Sequence, residues 1–350
     1  MRTAFDPEIE KRKKEHIMIA VSSISQVGTN GLENYKFTSN SLPEIDFDKI
    51  DTQTKFLKKK VNYPFFISCM TGGILEGGKL NKNLAIAAEK YNIALGVGSQ
   101  RAAIKNPSLA KFYNVRKHAP NIPILANIGL VQLNYGFTYK EFQKCVDMVG
   151  ADALVVHINA MQETIQPEGN RNWEGLLNKL EKVITKIKVP VIAKEVGFGM
   201  SKSVIERLVK VGVGYIDVAG WGGTNWALVE GLRGKADKEL GELFSNWGIS
   251  TADSLENCSA VKLISNHYSL ISVLASGGIR NGVEIAKCIS LGADMVGIAS
   301  PFAKAGLENE EKVEELIEKY AKEFKIAMFG VGAKNIKELQ KTKLQKVGDL

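Results

Sequence analysis

A closed (β/α)8 barrel is the fold predicted for this 350-residue chain, and three observations predict it. Eight short apolar runs rich in β-branched residues recur along the sequence, each ending in Gly, Ser, Asn or another small polar residue. One amphipathic helical stretch lies between most of them. The intervals suit a strand followed by a helix, and buried strands alternating with helices favour a closed parallel barrel over an open sheet. A doubly wound sheet is the alternative that the pattern alone leaves open.

In order, the runs are FFISCMTGG (65–73), IALGVGSQ (93–100), ILANIGL (124–130), ALVVHINAM (153–161), VIAKEVGF (191–198), YIDVAGWGG (215–223), SVLASGG (272–278) and MVGIASP (295–301). Between them, NLAIAAEKYN, KEFQKCVDMVG, WEGLLNKLEKVITKIK, SVIERLVKVG and GVEIAKCISLG repeat apolar residues at helical spacing. The sixth interval is longer. Residues 224–250 form an insertion after a strand end, where a barrel carries its lids and substrate loops. Residues 1–60 read as an N-terminal extension and 303–350 as closing helices, so 1–350 is expected to be one domain.

A hydrophobic fraction of 45% with 24% charged residues is that of a globular protein with a large core. No apolar run reaches the length of a membrane span, and the N-terminus lacks a signal-peptide pattern, so a cytoplasmic protein is expected. Four dispersed cysteines form no C-x-x-C pair and read as reduced thiols. The net charge of +8 favours anionic partners. Nucleic acid is disfavoured, because lysines alternate with acidic residues in stretches such as KVEELIEKYAKEFK.

Active sites of such barrels lie where the strands end, so the polar residues there carry the functional reading. ASGGIRNG (275–282) opens a helix with two glycines, letting backbone N–H groups approach a phosphate at a helix N-terminus. GIASP supplies a second small-residue turn beside it, and the two match the phosphate site built after strands seven and eight. Either turn alone is equally a tight βα connection. Lys194 ends the fifth run; its ammonium either snorkels at the rim or meets an anionic ring or phosphate, and imine chemistry is also open to it.

The fourth run is the densest. His157 and Asn159 share its period-two face, as a core hydrogen-bond network or as part of a site, and Gln162 and Glu163 follow at the catalytic end. The Glu163 carboxylate suits Mg²⁺, which takes one or two protein oxygens and leaves its other positions to water and substrate phosphates. After the second run, Ser99, Gln100 and Arg101 offer a hydroxyl, an amide and a guanidinium fork, and MTGG (70–73) follows the first. Arg12, Lys13 and His16 fall close together near the N-terminus, a pattern usual on a solvated helix face.

In order and spacing, RKKEH, MTGG, SQR, NIG, the His-Ile-Asn and Gln-Glu segment, AKEVGFG, GWGGT, SGGIR and IASP resemble the FMN-dependent type 2 isopentenyl-diphosphate isomerases over nearly the whole chain. The resemblance implies an FMN-type barrel that moves a double bond between isopentenyl and dimethylallyl diphosphate without net redox change. It implies FMN held by Met70, Thr71, Gly72, Ser99, Asn127, Lys194 and Thr224, with its phosphate at Gly277, Gly278, Ile279, Arg280, Ala299 and Ser300. Substrate diphosphate would meet Arg12, Lys13, Ser99, Gln100 and Arg101; Glu163 would bind Mg²⁺; Gln162, with His157 and Asn159, would serve the reacting alkene; and Lys194, also catalytic, would favour the anionic form of the flavin. The N-terminal basic pair would then close over the site. Reduced flavin, supplied by NADPH, would take part in proton transfer at N5, and the enzyme would be a homo-oligomer, a tetramer or octamer.

Two related barrels fit less well. FMN-dependent 2-hydroxy-acid oxidases need a His-x-x-Arg pair before strand seven, and here His267 is followed by Tyr-Ser-Leu. Inosine-monophosphate dehydrogenases need a cysteine after strand six, which GWGGTNW lacks. A non-catalytic flavin- or phosphate-binding barrel leaves Gln162 and Glu163 without a purpose.

Overall fold

The computed structural model describes residues 7–70, 72–233, 237–264 and 271–348. Eight parallel strands run in chain order around a closed barrel: Phe65–Ile67, Leu95–Gly96, Ile124–Gly129, Ala153–Ile158, Val191–Glu195, Tyr215–Asp217, Ser272–Ser276 and Met295–Ile298. Each lies inside one of the eight runs. The strands are shorter than the runs because the C-terminal part of each run leaves the sheet as a loop. The doubly wound alternative is ruled out by closure, since Val296, Gly297 and Ile298 of the eighth strand pair with Phe65, Phe66 and Ile67 of the first.

Strand periodicity sorts the side chains into two sets. One set faces the surrounding helices: Phe65, Ile67, Leu95, Ile124, Ala126, Leu154, Val156 and Val296 pack there with Phe142, Leu180, Ile205 and Ile285. The other set fills the barrel interior: Phe66, Leu125, Val155, Ile192, Leu274 and Met295. A hairpin of Thr54–Phe56 and Lys59–Val61 plugs the barrel's N-terminal end, with Phe56 stacked on Phe66 at 5.9 Å between ring centroids. That plug leaves the C-terminal end as the open face.

The helix Tyr139–Val149 illustrates the outer layer. Thr138 and Glu141 form a capping box at its start, Phe142, Cys145, Val146 and Val149 bury one stripe, and Gly150 ends it at φ 56°. The N-terminal extension wraps both ends of the molecule. Its helix Pro7–Ala20 lies over the open face, and Tyr35–Phe37 pairs antiparallel with Leu344–Lys346. The insertion is more ordered than a loop, containing helices Trp226–Gly231 and Lys238–Leu243 that pack on each other. No helix among the described residues is long and apolar enough to cross a membrane.

Candidate active site

Following the inward face of each strand toward its C-terminal end, the apolar layer gives way to a polar one. Two residues beyond Phe66, Leu125, Val155, Ile192, Tyr215 and Leu274 come Ser68, Asn127, His157, Lys194, Asp217 and Ser276. His157 is in register with Lys194, and Lys194 with Asp217. Above this layer opens a cavity of about 710 Å³, within the range of small-molecule sites.

Lys194 is buried; its ammonium donates to the Glu195 carbonyl at 2.8 Å and stands 3.9 Å from Asp217 Oδ2. Asp217 accepts from Ser276 Oγ at 2.6 Å, and burial raises its pKa above the ordinary carboxylate value. His157 Nδ1 lies 2.7 Å from Asn127 Oδ1. An amide oxygen only accepts, so Nδ1 carries the proton and Nε2 is the free acceptor. Burial, together with the charges of Lys194 and Arg101, drives the imidazole pKa down to about 3, so His157 is neutral. The Glu195 carboxylate gathers the N–H groups of Val196, Gly197 and Phe198 at 2.5–2.7 Å, which holds the turn carrying Lys194. Burial nonetheless raises the Glu195 pKa to about 7.

Past the fourth strand, Asn159 begins the short helix Ala160–Ile165 and donates to Gln162 Oε1 at 3.1 Å and Glu163 Oε1 at 3.2 Å. Glu163 Oε2 accepts the Asn170 N–H at 2.5 Å. Gln162 Nε2 donates to Glu230 Oε1 at 2.8 Å. Glu230 comes from the insertion and is completely buried, held also by His16 at 3.0 Å and Arg233 at 2.6 Å. Burial opposes its ionisation, but the contact with His16 and the hydrogen bonds from Gln162 and Arg233 outweigh it and lower its pKa. Arg233 also pairs with Glu168 at 2.7 Å and Glu15 at 3.5 Å, and Arg12 reaches Glu168 at 3.7 Å. The N-terminal helix is thus clasped to the insertion across the cavity.

Arg12, Lys13, Ser99 and Arg101 line the cavity mouth. Lys13 is hydrogen-bonded to the Gly72 carbonyl and, at 3.4 Å, to Tyr113 Oη, which in turn donates to the Ser99 carbonyl at 2.5 Å. Burial and the neighbouring Arg12 lower the Lys13 pKa to about 7. A Cβ on Gly72 would come 2.3 Å from the Tyr113 ring, so only glycine allows this approach. At the opposite side lie Thr224, Gly277, Gly278, Ile279, Arg280, Ala299 and Ser300. Gly277 and Gly278 have φ 109° and 72°, and a Cβ on either would fall 2.1–2.3 Å from the carbonyls of Gly220 and Gly222. Helices Gly282–Ser290 and Ser300–Glu308 begin beside this turn.

One expected contact is corrected. Gln100 does not face the cavity: it is fully buried, its Nε2 donating to the Cys145 carbonyl and its Oε1 accepting the Asn127 N–H, both at 2.9 Å. The chain turns into the helix Arg101–Lys105 at this residue, aiming its side chain toward the outer helices instead. Thr71 and His267 lie outside the described residues; Met70, Asn127, Asn159, Gln162 and Glu163 all line the cavity. Sequence reasoning passed over Glu230, Tyr113 and Asp217. Only Asp217 left a local signal, as a carboxylate two residues beyond Tyr215 on an otherwise apolar strand.

Comparison with known proteins sets the class first: the model of the family described as FMN-dependent dehydrogenase matches residues 143–346. Within it, the chain is 44% identical over 342 residues to the isopentenyl-diphosphate delta-isomerase of Nostoc sp. (strain PCC 7120), covering 97% of this chain and 96% of that one. It is 45% identical over 338 residues to the isopentenyl-diphosphate delta-isomerase of Rickettsia bellii (strain RML369-C), covering 96% and 97%. The chain belongs to the isopentenyl-diphosphate delta-isomerase family. Among solved structures, a flavocytochrome b2 with sulfite bound matches with a TM-score of 0.72 at 17% identity, over 95% of this chain and 83% of that one. A mandelate oxidase matches at 0.64 and 17% identity, over 97% and 98%. At that identity the likeness establishes the shared barrel.

Proposed function

We propose that this chain is an enzyme interconverting isopentenyl and dimethylallyl diphosphate, with reduced FMN and Mg²⁺ as cofactors and NADPH as the source of reduction. One observation carries the reading: a neutral amide, Gln162, is fixed by Glu230 in a cavity with cations at its mouth and a glycine cradle at its side. The conversion adds a proton at one end of the allylic unit and removes one at the other, so a cationic transition state must be sheltered. Bound in its reduced form, FMN would supply an electron-rich surface that stabilises this positive charge.

The residues present fit that cofactor. Where a Cβ at Gly277 or Gly278 would collide with backbone, the bare turn beside two helix starts leaves N–H groups for a phosphate. Lys194 would face the ring system and Asn127 would carry it above the polar layer. Arg12, Lys13, Ser99 and Arg101 would bind the diphosphate, whose negative charge matches theirs. Among the described residues no group of three His, Cys, Asp or Glu side chains could hold a metal alone. Glu163 therefore suits Mg²⁺ shared with the substrate phosphates, the usual arrangement for that ion. Gln162, with Asn159 and Glu230 fixing both ends of its amide, would orient the proton moving at the alkene, and neutral His157 adds no positive charge against the forming cation. We expect a cytoplasmic homo-oligomer, a tetramer or octamer.

The test is anaerobic turnover of isopentenyl diphosphate by the FMN-loaded protein after a single reduction. Dimethylallyl diphosphate should accumulate far beyond the reductant added. One NADPH oxidised per product would mark a net redox reaction and overturn the assignment.

A further inference from the structure

We propose that Lys105 is a further substrate-binding residue, contacting the outer phosphate and favouring diphosphates over monophosphates at this site. The inference rests on the reading of the site as one for isopentenyl diphosphate. Lys105 closes the helix Arg101–Lys105, four residues after Arg101, and both side chains line the cavity mouth. Side chains at that spacing lie on one helix face, where like charges repel. Arg12, and Lys13 when protonated, add positive charge from the N-terminal helix.

The repulsion is relieved only in part, by the charge of Glu163 on Arg101. Among the described residues neither Arg101 nor Lys105 has a hydrogen bond or ion pair. The carboxylates nearby are engaged: Glu163 by Asn159 and Asn170, Glu168 by Arg233 and Arg12. Burial, then Arg101 and Arg12, lower the pKa of Lys105, which places its ammonium within the field of both guanidinium groups. Cations that outnumber the carboxylates beside them disfavour the free protein and favour a polyanion in proportion to its charge.

Position separates the roles of the two side chains. Arg101 is half-buried and Lys105 exposed, about 6 Å further along the helix axis. A diphosphate held by Arg101 can extend its second phosphate toward Lys105, whereas a monophosphate at Arg101 leaves Lys105 unused.

The experiment is inhibition of the FMN-loaded enzyme by inorganic pyrophosphate and by inorganic phosphate. Lys105→Gln should raise the inhibition constant for pyrophosphate about fivefold, a modest factor because the ammonium is solvated, and that for phosphate by less than about twofold. The KM for isopentenyl diphosphate should rise with the pyrophosphate constant, and Lys105→Arg should restore it. Equal changes in both constants, or none, would remove Lys105 from the substrate site. Absence of pyrophosphate inhibition in the unsubstituted enzyme would instead bring down the diphosphate reading itself, and the Lys105 proposal with it.

Discussion

Replacing Glu230 by Gln puts the greatest strain on the proposed mechanism, because one buried carboxylate holds both the Gln162 amide, to which that mechanism assigns the proton transfer, and the N-terminal helix. The substitution keeps the shape and removes the charge that Gln162, His16 and Arg233 share at 2.8, 3.0 and 2.6 Å. A hydrogen bond to a charged group contributes roughly 1.5–3 kcal/mol, and the neutral amide can satisfy at most two of the three partners. Loss of a single such anchor on Gln162 corresponds to about a tenfold to hundredfold fall in kcat. The assay is steady-state isomerisation with FMN content monitored by absorbance, paired with hydrogen exchange over Pro7–Ala20. Exchange should quicken in the N-terminal helix and flavin should stay bound. Glu168→Gln serves as the control, since it loosens the Arg12 and Arg233 clasp without touching Gln162. Its exchange should quicken with a much smaller loss of kcat. Unchanged kcat in Glu230→Gln, or equal losses in both variants, would refute the claim that Glu230 acts through Gln162.

Gln162→Ala should keep the flavin spectrum yet lose most of kcat, because it removes the amide proposed to sit beside the alkene and leaves the glycine cradle intact; flavin titration against turnover separates the two. Glu163→Gln should weaken the Mg²⁺ dependence of substrate binding more than flavin binding, measured by titrating Mg²⁺ with pyrophosphate present. The pH dependence follows from Lys13, whose pKa lies at about 7 in the free protein. Below that pH its ammonium is charged and attracts diphosphate, and above it the charge is lost. Pyrophosphate affinity should therefore fall as pH rises through about 7, with proton uptake on binding. Lys13→Arg should hold that affinity level to higher pH, and an unaltered profile would remove Lys13 from the anion site.

The eight strands were legible because a parallel barrel strand is buried on both faces and shows as a local apolar run. The position of Gln162 and Glu163 on the cavity wall was legible for a related reason: they follow the fourth run immediately, at the end of the barrel where the cavity opens. Gln100 misled because a residue at a strand end faces the cavity or the outer helices according to the turn that follows. Here the turn into Arg101–Lys105 gave its amide to Cys145 and Asn127.

Local pattern alone thus carried the eight strands, the polar strand ends and the family resemblance, since each is written in residues adjacent along the chain, whereas closure of the strands into a barrel was decided by the pairing of the eighth strand with the first. Tertiary structure alone decided the partners. Glu230 lies 68 residues from Gln162 in sequence, and Tyr113 lies 100 residues from Lys13, yet each pair is joined by a hydrogen bond. Such contacts arise when the insertion and the N-terminal helix fold over the same barrel end. A buried carboxylate among amides and cations is stable only once all of them have arrived, so no single stretch of sequence can announce it.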